Sequence, residues 1–162
     1  MELINENRFH EQKLKKEFLK TQKDERKYLV VEDDFALQPI WEYVLQTIDP
    51  NAVIRWARTQ EGAEKLINDR IRSKDQFDII IADVMLAGKK TGVDLWRDFK
   101  ETGMLFLFTS SLTEKKFQQM VGENYGEYPF FLRKPLYVPD CIACINALIA
   151  FKNLSLLNSS EQ

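Results

Sequence analysis

The stretch Phe77-Asp78-Ile79-Ile80-Ile81-Ala82-Asp83 decides the fold. It is too short for a typical helix and rich in β-branched isoleucine. Its apolar positions are consecutive rather than alternating, so it reads as a strand buried on both faces. Such a strand belongs to a parallel sheet with helices on either side. Ligands bind such sheets at the carboxyl ends of the strands, where the strand order reverses. Asp83 stands at such an end. Asp also commonly initiates loops, so its meaning depends on what the other strands end in.

Working outward, Lys27-Tyr28-Leu29-Val30-Val31 reads as the first strand, ending in Glu32-Asp33-Asp34. A first helix follows within residues 35–48, with Leu37, Ile40, Trp41, Val44, Leu45 and Ile48 at helical spacing. Pro39 belongs in or near its first turn, where a missing N–H costs little. Residues 52–57 form a second strand and 61–72 a second helix. Beyond Asp83 come a turn-rich loop, Leu86-Ala87-Gly88-Lys89-Lys90-Thr91-Gly92, and a third helix over 93–100. Residues 104–108 form the fourth strand, ending in Thr109-Ser110-Ser111, and 113–121 the fourth helix. The fifth strand spans 128–133 and ends in Lys134-Pro135. Pro139 and Asp140 open a fifth helix running to about Phe151. Strand and helix thus alternate five times, which predicts an α/β fold with a doubly wound, five-stranded parallel sheet and right-handed crossovers.

The ends divide the chain into a charged helical extension at 1–26, a domain at 27–151 and a polar, frayed tail at 152–162. In the extension Glu11 and Lys15 are spaced to pair on a helix, as are Leu14 and Phe18. A solvated helix is the plainer reading, a dimerisation or docking helix the sharper one. A net charge of −2 gives no drive toward nucleic acid or anionic membranes. We read no apolar run long enough to cross a bilayer and no signal-peptide pattern, so a cytoplasmic location is expected. Cys141 and Cys144 form one C-x-x-C, a redox pair or half of a metal set. With His10 the single histidine and no second cysteine pair, two small residues on a helix face is the simpler reading.

Four strand ends carry chemistry: Glu32 and Asp33 on the first, Asp83 on the third, Thr109 on the fourth, Lys134 on the fifth. A parallel sheet brings all of them to one edge. Clustered carboxylates raise one another's pKa unless a cation intervenes. Mg²⁺ answers that need with oxygen ligands and accepts phosphate oxygens as well. Lys134 is a point charge suited to a phosphoryl oxygen, and Thr109 offers a hydroxyl. These are the parts needed to move a phosphoryl group onto an aspartate oxygen.

At these residues the chain resembles the receiver domain of two-component response regulators, chemotaxis-regulator-like and of flavodoxin-like topology. The matching pieces are Leu29-Val30-Val31-Glu32-Asp33-Asp34, Ala57-Arg58-Thr59-Gln60-Glu61-Gly62-Ala63, Asp78-Ile79-Ile80-Ile81-Ala82-Asp83-Val84-Met85-Leu86, Phe108-Thr109-Ser110 and Leu132-Arg133-Lys134-Pro135. They cover residues 27–151. The resemblance implies Asp83 as phospho-acceptor and Mg²⁺ held by Asp33, by Asp83, by Glu32 mainly through water, and by the Met85 backbone carbonyl. It implies Thr109 as the switch hydroxyl and Lys134 as the phosphoryl ligand. Phe131 falls where the family has an aromatic that turns inward on activation, although plain core is the alternative. Glu32 and Asp33, rather than Asp34, are favoured as the acidic pair because the next helix then starts at family spacing. A register slip would make Ser110 the switch residue.

The implied partners are a histidine kinase or phosphotransfer protein as donor and a downstream protein target. Neither nucleic acid nor membrane is implied as a direct partner, and a homodimer is left open. The chain would be no enzyme beyond its own phosphorylation and dephosphorylation. With only 152–162 after the fifth helix, output through protein contacts is expected. The departures are Ala87 where the family has Pro, a longer loop at Lys89 and Lys90, and a shortened stretch from Asp83 to Thr109. Two rivals remain: a degenerate receiver acting as a scaffold, and a Mg²⁺-dependent aspartyl-phosphate phosphatase of the haloacid-dehalogenase type. The latter wants Asp where Met85 stands.

Overall fold

A computed structural model describes residues 25–122 and 130–159. Most of the expected N-terminal extension therefore lies outside the described residues, as do Tyr128 and Pro129 of the expected fifth strand. The strands are β1 (Lys27–Val31), β2 (Val53–Ala57), β3 (Ile79–Asp83), β4 (Leu105–Ser110) and β5 (Phe131–Arg133). The helices are α1 (Gln38–Ile48), α2 (Gln60–Arg72), α3 (Gly92–Phe99), α4 (Glu114–Val121) and α5 (Val138–Ser159). Short 3₁₀ turns, Phe35–Leu37 and Lys100–Thr102, precede α1 and follow α3. All strand pairs are parallel, in the order β2-β1-β3-β4-β5. The sheet is doubly wound, as expected, and its order reverses between β1 and β3.

Helix starts are written into side chains. Thr59 accepts the Gly62 N–H, Thr113 accepts the Lys116 N–H, and Thr91 with Asp94 forms a reciprocal capping box. Pro39 sits in the first turn of α1. Alternate strand residues divide two cores. Leu29, Val31, Ile80, Ala82, Phe106 and Phe108 pack with α2, α3 and α4. Tyr28, Val30, Ile79, Ile81, Leu105 and Leu107 pack with α1 and α5. Every residue of β3 is buried, as its unbroken apolar run requires.

Several boundaries differ from expectation. β3 begins at Ile79; the preceding Asp78 bonds through its backbone to Lys27 and Leu105, and its carboxylate accepts the Lys27 N–H (2.8 Å) and the Lys152 ammonium (2.7 Å). β4 runs on through Ser110, since the Thr109 carbonyl accepts the Val84 N–H and the Ser110 carbonyl accepts the Lys134 N–H. The largest correction concerns the tail. Residues 152–159 are helical, not frayed. No Gly or Pro interrupts the run, Leu154, Leu156 and Leu157 continue its apolar content, and Lys152 ties it to Asp78. That continuity also overturns the expectation of no bilayer-length apolar run: Val138–Asn158 is long and apolar enough to cross a membrane by length and composition. Cys141, Ile145 and Leu148 of this helix are buried against the sheet, whereas Phe151, Leu154, Leu156 and Leu157 are exposed.

Candidate functional site

The site lies where β1 and β3 diverge, at the carboxyl edge of the sheet. Glu32 follows β1 directly and Asp83 ends β3; both are buried, 7% and 6% exposed. Lys134 follows β5 and reaches across the edge. Its Nζ stands 2.6 Å from Asp83 Oδ2 and 2.8 Å from Glu32 Oε2. The remaining oxygens are held by backbone: Asp83 Oδ1 accepts the Met85 N–H (2.9 Å), and Glu32 Oε1 accepts the Asp34 N–H (3.0 Å). Asp33 is exposed, and single carboxylate oxygens of Glu32, Asp33 and Asp83 all lie within 4.8 Å of one another. Asp34 turns away and accepts the Ala36 N–H to cap the 3₁₀ turn. The acidic group is therefore Glu32, Asp33 and Asp83.

The electrostatics follow from burial and pairing. Desolvation raises the Glu32 pKa; the Lys134 and Asp34 hydrogen bonds oppose this and the Asp83 charge adds to it. Burial alone would lower the Lys134 pKa, but hydrogen bonds to Asp83 and Glu32 outweigh it and hold the pKa above the ordinary lysine value. The ammonium is thus a fixed cation placed between two carboxyls.

Thr109 is the register partner of Asp83, so their side chains share a face of the sheet. It is 1% exposed, and its Oγ1 has no hydrogen-bond partner among the described residues. A buried hydroxyl left without a partner costs about 1–3 kcal/mol, so such a group calls for an explanation. Ser110, its neighbour, is satisfied locally: its Oγ accepts the Leu112 N–H. The geometry therefore puts Thr109, not Ser110, beside Asp83. Phe131 is half-buried and stacked on Phe117 of α4, with ring centroids 4.6 Å apart, which couples β5 to α4. Met85 is exposed, with its N–H committed to Asp83. Cys141 and Cys144 are free thiols. Burial pushes both pKa values up to about 11, the opposite of an activated pair.

Sequence reasoning missed Gly92. Its N–H donates to the Val84 carbonyl at 3.0 Å, and a Cβ there would lie 2.2 Å from the Asp83 carbonyl oxygen. The first turn of α3 thus presses on the backbone of the acidic site. A signal was present: Thr91 already serves as the cap, so a glycine at the next position has no capping duty, and close approach is what remains. Gly92→Ala should cost about 1–3 kcal/mol, the usual range for overpacking. A drop in the midpoint of thermal unfolding, followed by circular dichroism, checks it.

No family model matches the chain, and no curated protein matches it. Solved structures do. The non-phosphorylated receiver domain of HemR from Leptospira biflexa is 24% identical, with a TM-score of 0.59; the match covers 77% of this chain and 94% of that one. A receiver domain protein from Clostridium thermocellum is 19% identical, with a TM-score of 0.65, covering 80% and 98%. The phosphorylated cyanobacterial phytochrome response regulator RcpA is 15% identical, with a TM-score of 0.63, covering 79% and 94%. With its strand order, its flanking helices and these likenesses together, the chain adopts the fold of response regulator receiver domains.

Proposed function

We propose that this chain works as a response regulator receiver, taking a phosphoryl group onto Asp83 and passing the change on through protein contacts. One observation carries the reading: Lys134 bridges Asp83 and Glu32 beside a buried Thr109 hydroxyl that has no partner among the described residues. The donor set is all oxygen and strongly anionic, which fits Mg²⁺. Asp33 and Asp83 would hold the ion directly, Glu32 mainly through water, and the Met85 backbone carbonyl would complete the protein's share. When bound, Mg²⁺ supplies positive charge against the phosphoryl oxygens.

The protein's own groups do the rest. An Asp83 carboxylate oxygen attacks phosphorus in line. The new P–O bond forms as the P–N bond of a phosphohistidine on a histidine kinase or phosphotransfer protein breaks, and the imidazole nitrogen keeps the electron pair. Lys134 exchanges a carboxylate contact for a phosphoryl oxygen. The Thr109 hydroxyl donates to another, gaining the partner it lacks. Movement at Thr109 reaches Phe131, and through its stack on Phe117 reaches α4, altering the face read by a downstream protein. This is cytoplasmic chemistry, and the chain catalyses nothing beyond its own modification and its reversal.

Acetyl phosphate with Mg²⁺ tests the reading. Intact mass spectrometry should show one added phosphoryl group, and chelation of the metal should prevent it. A chain that binds Mg²⁺ yet gains no mass would overturn the proposal in favour of a phosphorylation-independent scaffold.

A further inference from the structure

The acidic edge carries one more charged side chain, which the proposed function leaves unused. Trp56, Val30, Ile81 and Leu107 form a row across four strands and pack on the α1 and α5 side of the sheet. Two residues further on, strand alternation brings Arg58, Glu32, Asp83 and Thr109 to that same side. Arg58 thus extends the row of the site by one place, beyond Glu32. The two strand ends are joined there, since the Glu32 N–H donates to the Ala57 carbonyl at 3.0 Å. Arg26, Arg70, Arg72 and Arg97 each pair with an aspartate. Arg58 forms no ion pair among the described residues, although Glu32, Asp33 and Asp34 follow the neighbouring strand. Its guanidinium lies instead on the ring of Phe35, 3.1 Å from the centroid. That ring is 56% exposed, on the first residue after the three acids.

A stack of this kind occupies the flat face of a guanidinium and leaves its in-plane N–H groups unspent. Arg58 is exposed, so that fork is open to solvent at the mouth of the site. We propose that Arg58 binds the leaving group of the phosphoryl donor, and that it favours acyl phosphates, which leave as carboxylates. The inference rests on the reading of Asp83 as acceptor. As an Asp83 oxygen forms its bond to phosphorus, the bond from phosphorus to the acyl oxygen breaks, and that oxygen keeps the electron pair. Negative charge therefore gathers on a planar carboxylate on the solvent side of phosphorus, opposite Asp83. A guanidinium fork matches that shape with two parallel N–H bonds. Arg58 and Asp83 stand two strands apart, about 10 Å between backbones. A long side chain and a small donor close that gap between them. Lys134 cannot take this part, because its ammonium is committed to Asp83 and Glu32. A phosphohistidine leaves as a neutral imidazole and has no carboxylate for the fork, so Arg58 separates small acyl donors from a protein donor.

Two small donors test this on the full chain with Mg²⁺, the added phosphoryl group being followed in time by intact mass. Acetyl phosphate leaves as a carboxylate and phosphoramidate as ammonia. At donor concentrations well below saturation, Arg58→Gln should slow labelling by acetyl phosphate about tenfold or more, the loss of a paired charge-assisted contact, and labelling by phosphoramidate less than about twofold. The loss should lie in the half-saturating concentration of acetyl phosphate rather than in the rate at saturation. Arg58→Lys, which keeps the charge but not the fork, should recover little of it. Far-ultraviolet circular dichroism should be unchanged in both variants, since the side chain is exposed. An equal loss with the two donors would overturn the proposal, because the residue would then act through the general field of the site. So would full recovery in Arg58→Lys, which means a point charge suffices, or an unchanged rate in Arg58→Gln. A wild-type chain that gains mass from neither donor would overturn the proposed function as well. A wild-type chain labelled by both, with Arg58→Gln indistinguishable from it, would overturn this inference alone.

Discussion

Replacing Asp83 with Asn is expected to remove the phosphoryl label from acetyl phosphate entirely, as read by intact mass, with the fold retained. The substitution preserves shape, so the Met85 N–H keeps an acceptor, and the Lys134 ammonium can still bond to Glu32. What it removes is the anionic oxygen that attacks phosphorus; a neutral amide is not a usable nucleophile. The loss should therefore be all or none, unlike the partial losses from changing a group that merely positions. If the label persists, Asp33 becomes the first candidate, because it is the exposed member of the acidic group. In that case the assignment of Asp83 fails, whatever the fold.

The largest stability effect is expected at Phe108. Its ring is fully buried and meets three others: Trp96 edge-on at 6.2 Å, Phe106 at 6.1 Å and Phe117 at 5.1 Å. Phe108→Ala removes a large apolar volume and leaves a cavity that aromatic neighbours fill poorly, so a cost of about 3–5 kcal/mol is expected. For a chain of this size that corresponds to a midpoint lowered by about 6–20 °C, measurable by calorimetry. A loss under about 1 kcal/mol would mean that the rings repack. Phe108 immediately precedes Thr109, and its neighbour Phe117 also stacks on Phe131. The same substitution should thus loosen the ring cluster that joins the acidic edge to α4.

Much of this was legible in the chain itself. β3 could be read because burial on both faces leaves an unbroken apolar run, and the alternation of strand and helix then restricts topology to a few arrangements. Glu32, Asp83, Thr109 and Lys134 could be read because strand ends in a parallel sheet share an edge; the structure brings all four together. Gly92 was not read, because a close backbone approach leaves no residue pattern beyond the glycine. The extent of α5 was misjudged for a different reason. Serines and asparagines among the leucines made 152–159 look polar, whereas helix continuation needs only an absence of breakers and an anchor, here Lys152 on Asp78. The choice between Thr109 and Ser110 depended on register, which sequence spacing constrains only to within a residue.

The three-residue length of β5 has a further consequence. This strand lies at the rim of the sheet, and it alone delivers Lys134 to partners 51 and 102 positions away in the chain. Rim strands with few ladder bonds open more often than the rest of a domain. Each such opening would withdraw the ammonium and leave Glu32 and Asp83 facing each other uncompensated, with the remaining four strands intact. The exchange rate of the Lys134 amide, bonded to the Ser110 carbonyl at 2.8 Å, would then report the fraction of time the domain stands armed.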